Sequence, residues 1–313
     1  MGRRWFLAAV AALVLAAGCA SRPAPRFVVV PESTTDPFWV QVARGMNAAA
    51  VELRLRTEFL GPREESVDKQ LTIIQEAIAR HPAGLAIAPS DPSRVRALID
   101  EATRAGIPVV TMETDAPQSA RTCYVGMDNY AAGELAGAEM LKRVRSGKVA
   151  IVADRAGDPA LDERIRGFQE AISKGAPEIA VLGSYFGEGQ APNLTGIVDG
   201  LLSRPAGIEG LFAPGPLGSL AIGRALKKHG RLGEVVGAGF GILPEEVRLL
   251  REGAIQVLIG PRPYEMGYQA LRTLADLHQR KPPPGKIVDT GADAVTRDNV
   301  EVLYPWTAAA PVE

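Results

Sequence analysis

Short, continuously apolar runs alternate along almost the whole chain with longer segments of helical period, and this alternation restricts the fold more than any other feature. The runs fall at 27–30, 84–88, 107–112, 122–126, 148–153, 179–182, 207–213, 234–237 and 255–260. Between them apolar residues recur at helical spacing, as in Val67, Leu71, Ile74 and Ile78, or Leu135, Ala136, Met140, Leu141 and Val144. A strand that is apolar at every position is buried on both faces, as in a parallel sheet covered by helices. Strand–helix repeats of this kind predict a doubly wound α/β architecture.

Three helix starts share one device. Asp36-Pro37, Asp91-Pro92 and Asp158-Pro159 each set a capping carboxylate before a proline at the first helical position, where the missing N–H does no harm. All three follow strands, so a parallel sheet puts them on the rim beyond the strand C-termini, where such folds bind ligands; each also serves as a plain cap. The series of strand–helix units before Gly126 is matched by a similar series after Asp128, so the chain repeats its architecture in two lobes. Segment 262–277 is helical again, Pro282-Pro283-Pro284 breaks it, and Val288-Asp289-Thr290-Gly291 is extended. The expected crossings near 126–128, 260–262 and 287–291 make a three-segment hinge. The predicted division is 26–127 plus 262–287 for the N-terminal lobe and 128–261 plus 288–313 for the C-terminal lobe.

Residues 1–18 read as a signal peptide: Arg3 and Arg4, an apolar stretch from Trp5 to Leu15, then small residues before Cys19. The stretch is shorter than the ~20 apolar residues that span a bilayer. Ala16-Ala17-Gly18-Cys19 resembles a bacterial lipobox, with Ala16 where leucine is usual and Leu15 one place earlier. The resemblance implies cleavage before Cys19, lipid on its thiol and a lipidated tether over 19–25 that holds the protein at a membrane; the alternative is an ordinary signal peptide. Arg3-Arg4-Trp5-Phe6-Leu7 also resembles a twin-arginine export motif.

Lys and Arg number 35 against 36 Asp and Glu, a net charge of −1, so nothing neutralises a run of phosphates and no nucleic-acid partner is expected. The only cysteine besides Cys19 is Cys123, so with Cys19 lipidated no disulfide supports the fold, and Cys123 reads as a small buried residue at a strand start. There is no H-E-x-x-H, G-x-S-x-G or G-x-x-x-x-G-K-[ST], and His81, His229 and His278 each sit apart near a predicted helix end. Gly237-Ala238-Gly239-Phe240-Gly241 has Ile242 where a dinucleotide loop needs its third glycine. The chain is read as no enzyme, with no cofactor and no metal.

The stretch RFVVVPESTTDPFWVQVARGMNAAA resembles the first strand, rim loop and helix of the periplasmic solute-binding proteins of the ribose/galactose type. AGLAIAPSDPSRV and AGIPVVTMETD resemble that family's third and fourth strands, and VGMDNYAAGELAG its first lobe crossing. DPALDERIRGFQEAI resembles the helix that opens the second rim, and IVDTGADAVTRDNV the last crossing. The resemblance covers about 26–302. It implies a type I periplasmic binding protein-like fold whose lobes close on a small polar, carbohydrate-like ligand. A monomer of this kind delivers the ligand to ABC permease subunits; the alternative is a ligand-sensing module for a membrane sensor kinase or chemoreceptor.

Carried over residue by residue, the resemblance makes Phe38 and Trp39 the aromatic pair that packs on ligand ring faces, with Asp36 the polar group just before the proline. Glu113 matches the acidic position after the fourth strand, with Thr114 where an arginine usually follows, and Arg164 matches the arginine of the second rim. Ala88, Pro214-Gly215-Pro216, Gly239 or Gly241, and Pro261 stand where a sugar binder carries amides or acids. Each hydroxyl partner lost from a desolvated cleft would cost a pentose or hexose about 1–3 kcal/mol. Ribose is therefore not expected: the ligand is larger or less hydroxylated, or the cleft meets a protein partner. Asparagine at position 215 would restore one family polar group and, on this reading, some affinity for simple sugars.

Overall fold

The computed structural model describes residues 24–203 and 207–309, so the signal peptide, Cys19 and most of the tether lie outside the described residues. In strand β1 (Arg26–Val30), Phe27 and Val29 join the hydrophobic core on one side and Val28 and Val30 the core on the other, all four at 1% exposure or less. This two-sided burial is why the run is continuously apolar.

The first lobe follows as α1 (Pro37–Leu53), β2 (Arg56–Phe59), α2 (Val67–Ala79), β3 (Gly84–Ile87), α3 (Pro92–Arg104), β4 (Val109–Met112) and β5 (Cys123–Gly126). The second contains α4 (Asn129–Leu141), β6 (Lys148–Ala153), α5 (Pro159–Gly175), β7 (Ala180–Phe186), α6 (Ala191–Leu202) and β8 (Gly210–Phe212). It continues with α7 (Pro216–Lys228), β9 (Val236–Phe240), α8 (Pro244–Arg251) and β10 (Val257–Pro261). Helix α9 (Pro263–His278) returns to pack on α1, β3 and β4 of the first lobe. β11 (Ile287–Asp289), β12 (Ala292–Val295) and α10 (Val300–Leu303) close the described chain.

The result is two six-stranded sheets, ordered β2-β1-β3-β4-β5-β11 and β7-β6-β8-β9-β10-β12, each flanked by helices. All pairings are parallel except β10 with β12. This is the doubly wound α/β architecture expected from the strand–helix alternation, repeated in two lobes as the family resemblance implies.

Some details differ from the sequence reading. Strand β2 has the mixed sequence Arg-Thr-Glu-Phe because it is a sheet edge, and Arg26 pairs with Glu58 across it at 3.1 Å. The last crossing lies beyond Asp289 instead of at 287/288, because Val288 and Asp289 still pair with Val125 and Gly126 in the first sheet. The glycine-rich run at 237–241 lies largely within strand β9, where a Cβ at Gly239 would come 2.2 Å from Ser219 Oγ. Cys123 is fully buried, which pushes its thiol up to about 11.

The crossings are tied together. Asp289 Oδ1 accepts from the backbone N–H of Asp128 and of Gly291, each at 2.9 Å, and Thr290 N donates to Gly126 O at 2.9 Å. Arg262 pairs with Asp293 at 2.6 Å, and Tyr304 Oη donates to Pro261 O at 2.9 Å. Each lobe also clasps two helices through glycines. A Cβ on Gly45 would fall 1.8 Å from Tyr264 O and one on Gly267 1.9 Å from Val42 O; Gly133 and Gly167 play the same part between α4 and α5.

Candidate functional site

The loops beyond the C-terminal ends of the parallel strands carry the candidate residues, and those of the two lobes approach one another, Arg164 of the second acting electrostatically on Glu113 of the first. On the first lobe, Asp36 caps α1, its Oδ1 accepting from Phe38 N at 2.7 Å, as the Asp-Pro pattern requires. Asp91 and Asp158 cap α3 and α5 in the same way.

Phe38 and Trp39 meet edge to face with centroids 5.0 Å apart. Phe38 is half-buried and packs both on the first-lobe core and against the second-lobe cluster that holds Ile242 and Tyr304, so it lies in the seam between lobes. Trp39 is 4% exposed and belongs mainly to the first-lobe core. Its remaining surface lines a hollow of about 330 Å³ shared with Glu32, Asp36, Glu64 and Glu65.

Glu113 follows β4 with φ +63, a left-handed conformation that is costly for a side-chain-bearing residue and turns the chain sharply at the rim. Its Oε2 accepts from Thr114 Oγ1 at 2.5 Å and its carbonyl from Tyr124 Oη at 2.8 Å. Burial raises the Glu113 carboxyl above its ordinary value, against the opposing Thr114 hydroxyl and the Arg164 guanidinium of the other lobe. Glu32 is pushed up to about 9, first by burial and then by Glu113 and Glu65.

On the second lobe Arg164 is held, not splayed into solvent. Nε donates to Asn129 Oδ1 at 2.8 Å, Nη1 donates to Pro214 O at 2.9 Å, and Cζ sits 4.4 Å from the Phe240 ring centroid. Among the described residues no hydrogen bond engages Nη2, and the side chain is half-buried. A guanidinium fixed at two nitrogens with a third left free is an oriented donor for an oxygen-bearing ligand.

The structure therefore brings Asp36, Trp39 and Glu32 together around one first-lobe hollow, with Glu113 linking Glu32 to Arg164 electrostatically. Cys19, the expected lipid attachment site, lies outside the described residues. Several polar rim groups come from positions that were not singled out. Asp154, immediately after β6, accepts from Gly218 N at 2.8 Å and Leu217 N at 3.2 Å. Glu246 is fully buried, takes Leu243 N at 2.7 Å on Oε2 and leaves Oε1 without a partner. A carboxylate directly after a buried strand was the available signal for Asp154. Nothing local marked Glu246.

Residues 27–282 match the family model for the periplasmic binding protein domain. The chain belongs to that family. Among curated relatives, this binding protein is 26% identical to the ribose import binding protein of Escherichia coli, over 78% of this chain and 82% of that one. It is 24% identical to a xylose/arabinose-binding protein of Sulfolobus acidocaldarius, over 93% of this chain and 75% of that one. Among solved structures it superposes on an arabinose binding protein of Geobacillus stearothermophilus with a TM-score of 0.81 at 30% identity, covering 90% of this chain and 100% of that one. A sugar-binding protein of a sugar ABC transporter from Bacillus halodurans gives a TM-score of 0.79 at 28% identity, covering 89% and 100%. These relatives are substrate-binding proteins, and the binding protein described here is not an enzyme.

Proposed function

We infer that the chain is an exported, lipid-anchored solute-binding protein that captures a carbohydrate-like ligand between its lobes and hands it, as a monomer, to ABC permease subunits at the membrane. The observation that carries this reading is one oriented cation on the second lobe, Arg164 held by Asn129 and Pro214, within electrostatic reach of the Glu113 carboxyl on the first. A ligand bearing hydroxyls satisfies both sides only when the lobes approach, so binding selects the closed form. The names of the relatives, which bind ribose, xylose or arabinose, support a sugar-like ligand, and the fold supports capture without chemistry.

Anchoring rests on the lipobox-like Ala16-Ala17-Gly18-Cys19. Among the described residues no helix is long and apolar enough to cross a membrane. Two experiments test the reading. A thermal-shift screen of the purified protein over sugars and polyols should give at least one concentration-dependent rise in Tm; ligand at a hundred times its Kd adds about 2.7 kcal/mol. Cys19→Ala should move the exported protein from the membrane fraction to the soluble one, and unchanged partitioning would refute the anchor.

A further inference from the structure

At the N-terminal ends of the first-lobe strands, opposite the rim that carries the candidate residues, lies a hollow of about 840 Å³. Its wall holds the first residues of β1 and β2, Arg26 and Arg56, which pair in register, and the chain just beyond the C-termini of α2, α3 and α9. Among the described residues five basic side chains line it, Arg26, Arg56, Arg280, His81 and His278, against one acid, Glu58. Glu58 is already taken, by Arg26 at 3.1 Å and Arg80 at 3.7 Å. Arg56 and Arg280 are exposed and meet no acid, hydrogen-bond acceptor or aromatic ring among the described residues. Elsewhere guanidiniums are commonly matched, as Arg94 is with Asp68 and Arg224 with Glu245, both at 2.7 Å. Cations beside helix C-termini complement the carbonyl ends there, so charge alone does not make this a site.

A second, independent observation is where the tether meets the fold. Ala24, the first described residue, is exposed and lines the same hollow. Cys19 precedes it by five residues, and five residues reach at most about 18 Å. An acyl chain on Cys19 therefore keeps the hollow within that distance of the bilayer surface, whatever course the tether takes. There its guanidiniums sample a headgroup layer whose field fades over about 8 Å at physiological salt.

We propose that this hollow docks the phosphate of an anionic phospholipid headgroup, with Arg56 and Arg280 as its donors, so that the first lobe rests on the membrane with the N-terminal ends of its strands toward the lipid. The proposal rests on the reading of Cys19 as the lipid attachment site and says how the anchored protein is oriented. A planar guanidinium presents paired N–H donors to phosphate oxygens. Pro82, Ile107 and Leu277 in the same wall offer apolar surface to the carbon skeleton beside the phosphate. One headgroup is recognised instead of a run of phosphates, which agrees with a net charge of only −1.

The test uses the exported, purified Cys19→Ala protein, which carries no acyl chain, in co-sedimentation with vesicles of phosphatidylcholine alone or of phosphatidylcholine and phosphatidylglycerol in equal parts. The mixed vesicles should take up the protein about ten-fold better at low salt, and Arg56→Gln with Arg280→Gln should remove most of that preference, at roughly five-fold per guanidinium. Arg145→Gln with Arg297→Gln, which takes the same charge from exposed, unpaired positions on the second lobe, should leave the preference unchanged to within about two-fold. Equal uptake by both kinds of vesicle, or equal loss in both double variants, overturns the proposal. Calorimetric binding of inorganic phosphate that depends on Arg56 and Arg280, without any vesicle preference, overturns the lipid as the source of the phosphate. The anchor is judged separately: its failure shows as wild-type protein that is soluble after export, a result that vesicle uptake by the acyl-free variant does not influence.

Discussion

The Asp154 carboxylate does for helix α7 what Gly215, its N-cap residue, cannot: Oδ1 lies 2.8 Å from Gly218 N and Oδ2 3.2 Å from Leu217 N. A Cβ at position 215 would fall 2.6 Å from Oδ2. The rim position that looks stripped of its amide in the sequence has thus been filled by a carboxylate from the end of β6, and an asparagine there would displace that carboxylate instead of adding to it.

Asp154→Ala should therefore cost about 1–2 kcal/mol, the worth of a helix cap. Gly215→Asn should cost about 1–3 kcal/mol through overpacking and win no affinity for simple sugars. Urea titration at unchanged slope measures both, and a Gly215→Asn protein as stable as the parent would contradict the cap.

The α1–α9 clasp is equally specific. Gly45→Ala and Gly267→Ala each push a methyl into a backbone carbonyl, so each should lower stability by about 1–3 kcal/mol or more. Once one substitution has parted the helices the other should cost less, and a double-mutant cycle will show this as a favourable coupling of at least 0.5 kcal/mol, roughly the threshold for neighbouring sites.

Arg164→Lys keeps the charge and loses the fork that engages Asn129 and Pro214 while leaving Nη2 free. The cognate sugar should weaken by about 1–3 kcal/mol. Trp39→Ala, by contrast, would excavate the core at a cost of about 3–5 kcal/mol, so a loss of binding there would report folding before recognition. Calorimetric titration that finds Arg164→Lys indistinguishable from the parent removes Arg164 from the site.

Glu246 supplies a pH signature. Burial first, and then Glu245 and Asp154, push it up to about 7 against an ordinary value near 4.5, while Leu243 N opposes the shift. Between those values the folded protein binds a proton that the unfolded chain has released, so stability present below about pH 4.5 is lost as pH rises through about 7. Glu246→Gln stays neutral throughout. It should gain on the parent by about 3 kcal/mol between acid and mildly alkaline pH, followed as the difference in Tm across the series.

The strands that could be read directly from the sequence are those covered on both faces, such as Phe27–Val30 and Val149–Ala153, because burial leaves no place for a polar residue. Arg56–Phe59 escaped because an edge strand meets solvent and carries charge. The Asp-Pro caps were legible because a cap is decided within a few residues, whereas Asp154 caps a helix more than sixty residues later, a role that its place after a buried strand does not reveal. The last crossing slipped by two residues for a similar reason. Val288 and Asp289 look merely extended, and only their pairing with Val125 and Gly126 assigns them to the first sheet.

The clasp between α1 and α9 also imposes an order of assembly. A chain that emerges amino end first, from a ribosome or a membrane pore, offers β1 to β5 and α1 long before α9 exists, so Phe27, Val29, Val42 and Met46 wait without the cover that Met266, Ala270 and Leu274 will provide. The second lobe runs unbroken from α4 to β10 and lacks only β12 and the segment after it. It can close its core earlier, while the first sheet, five of its six strands made but one face still lacking α9, is the stage at which a holdase would find a greasy face to grip.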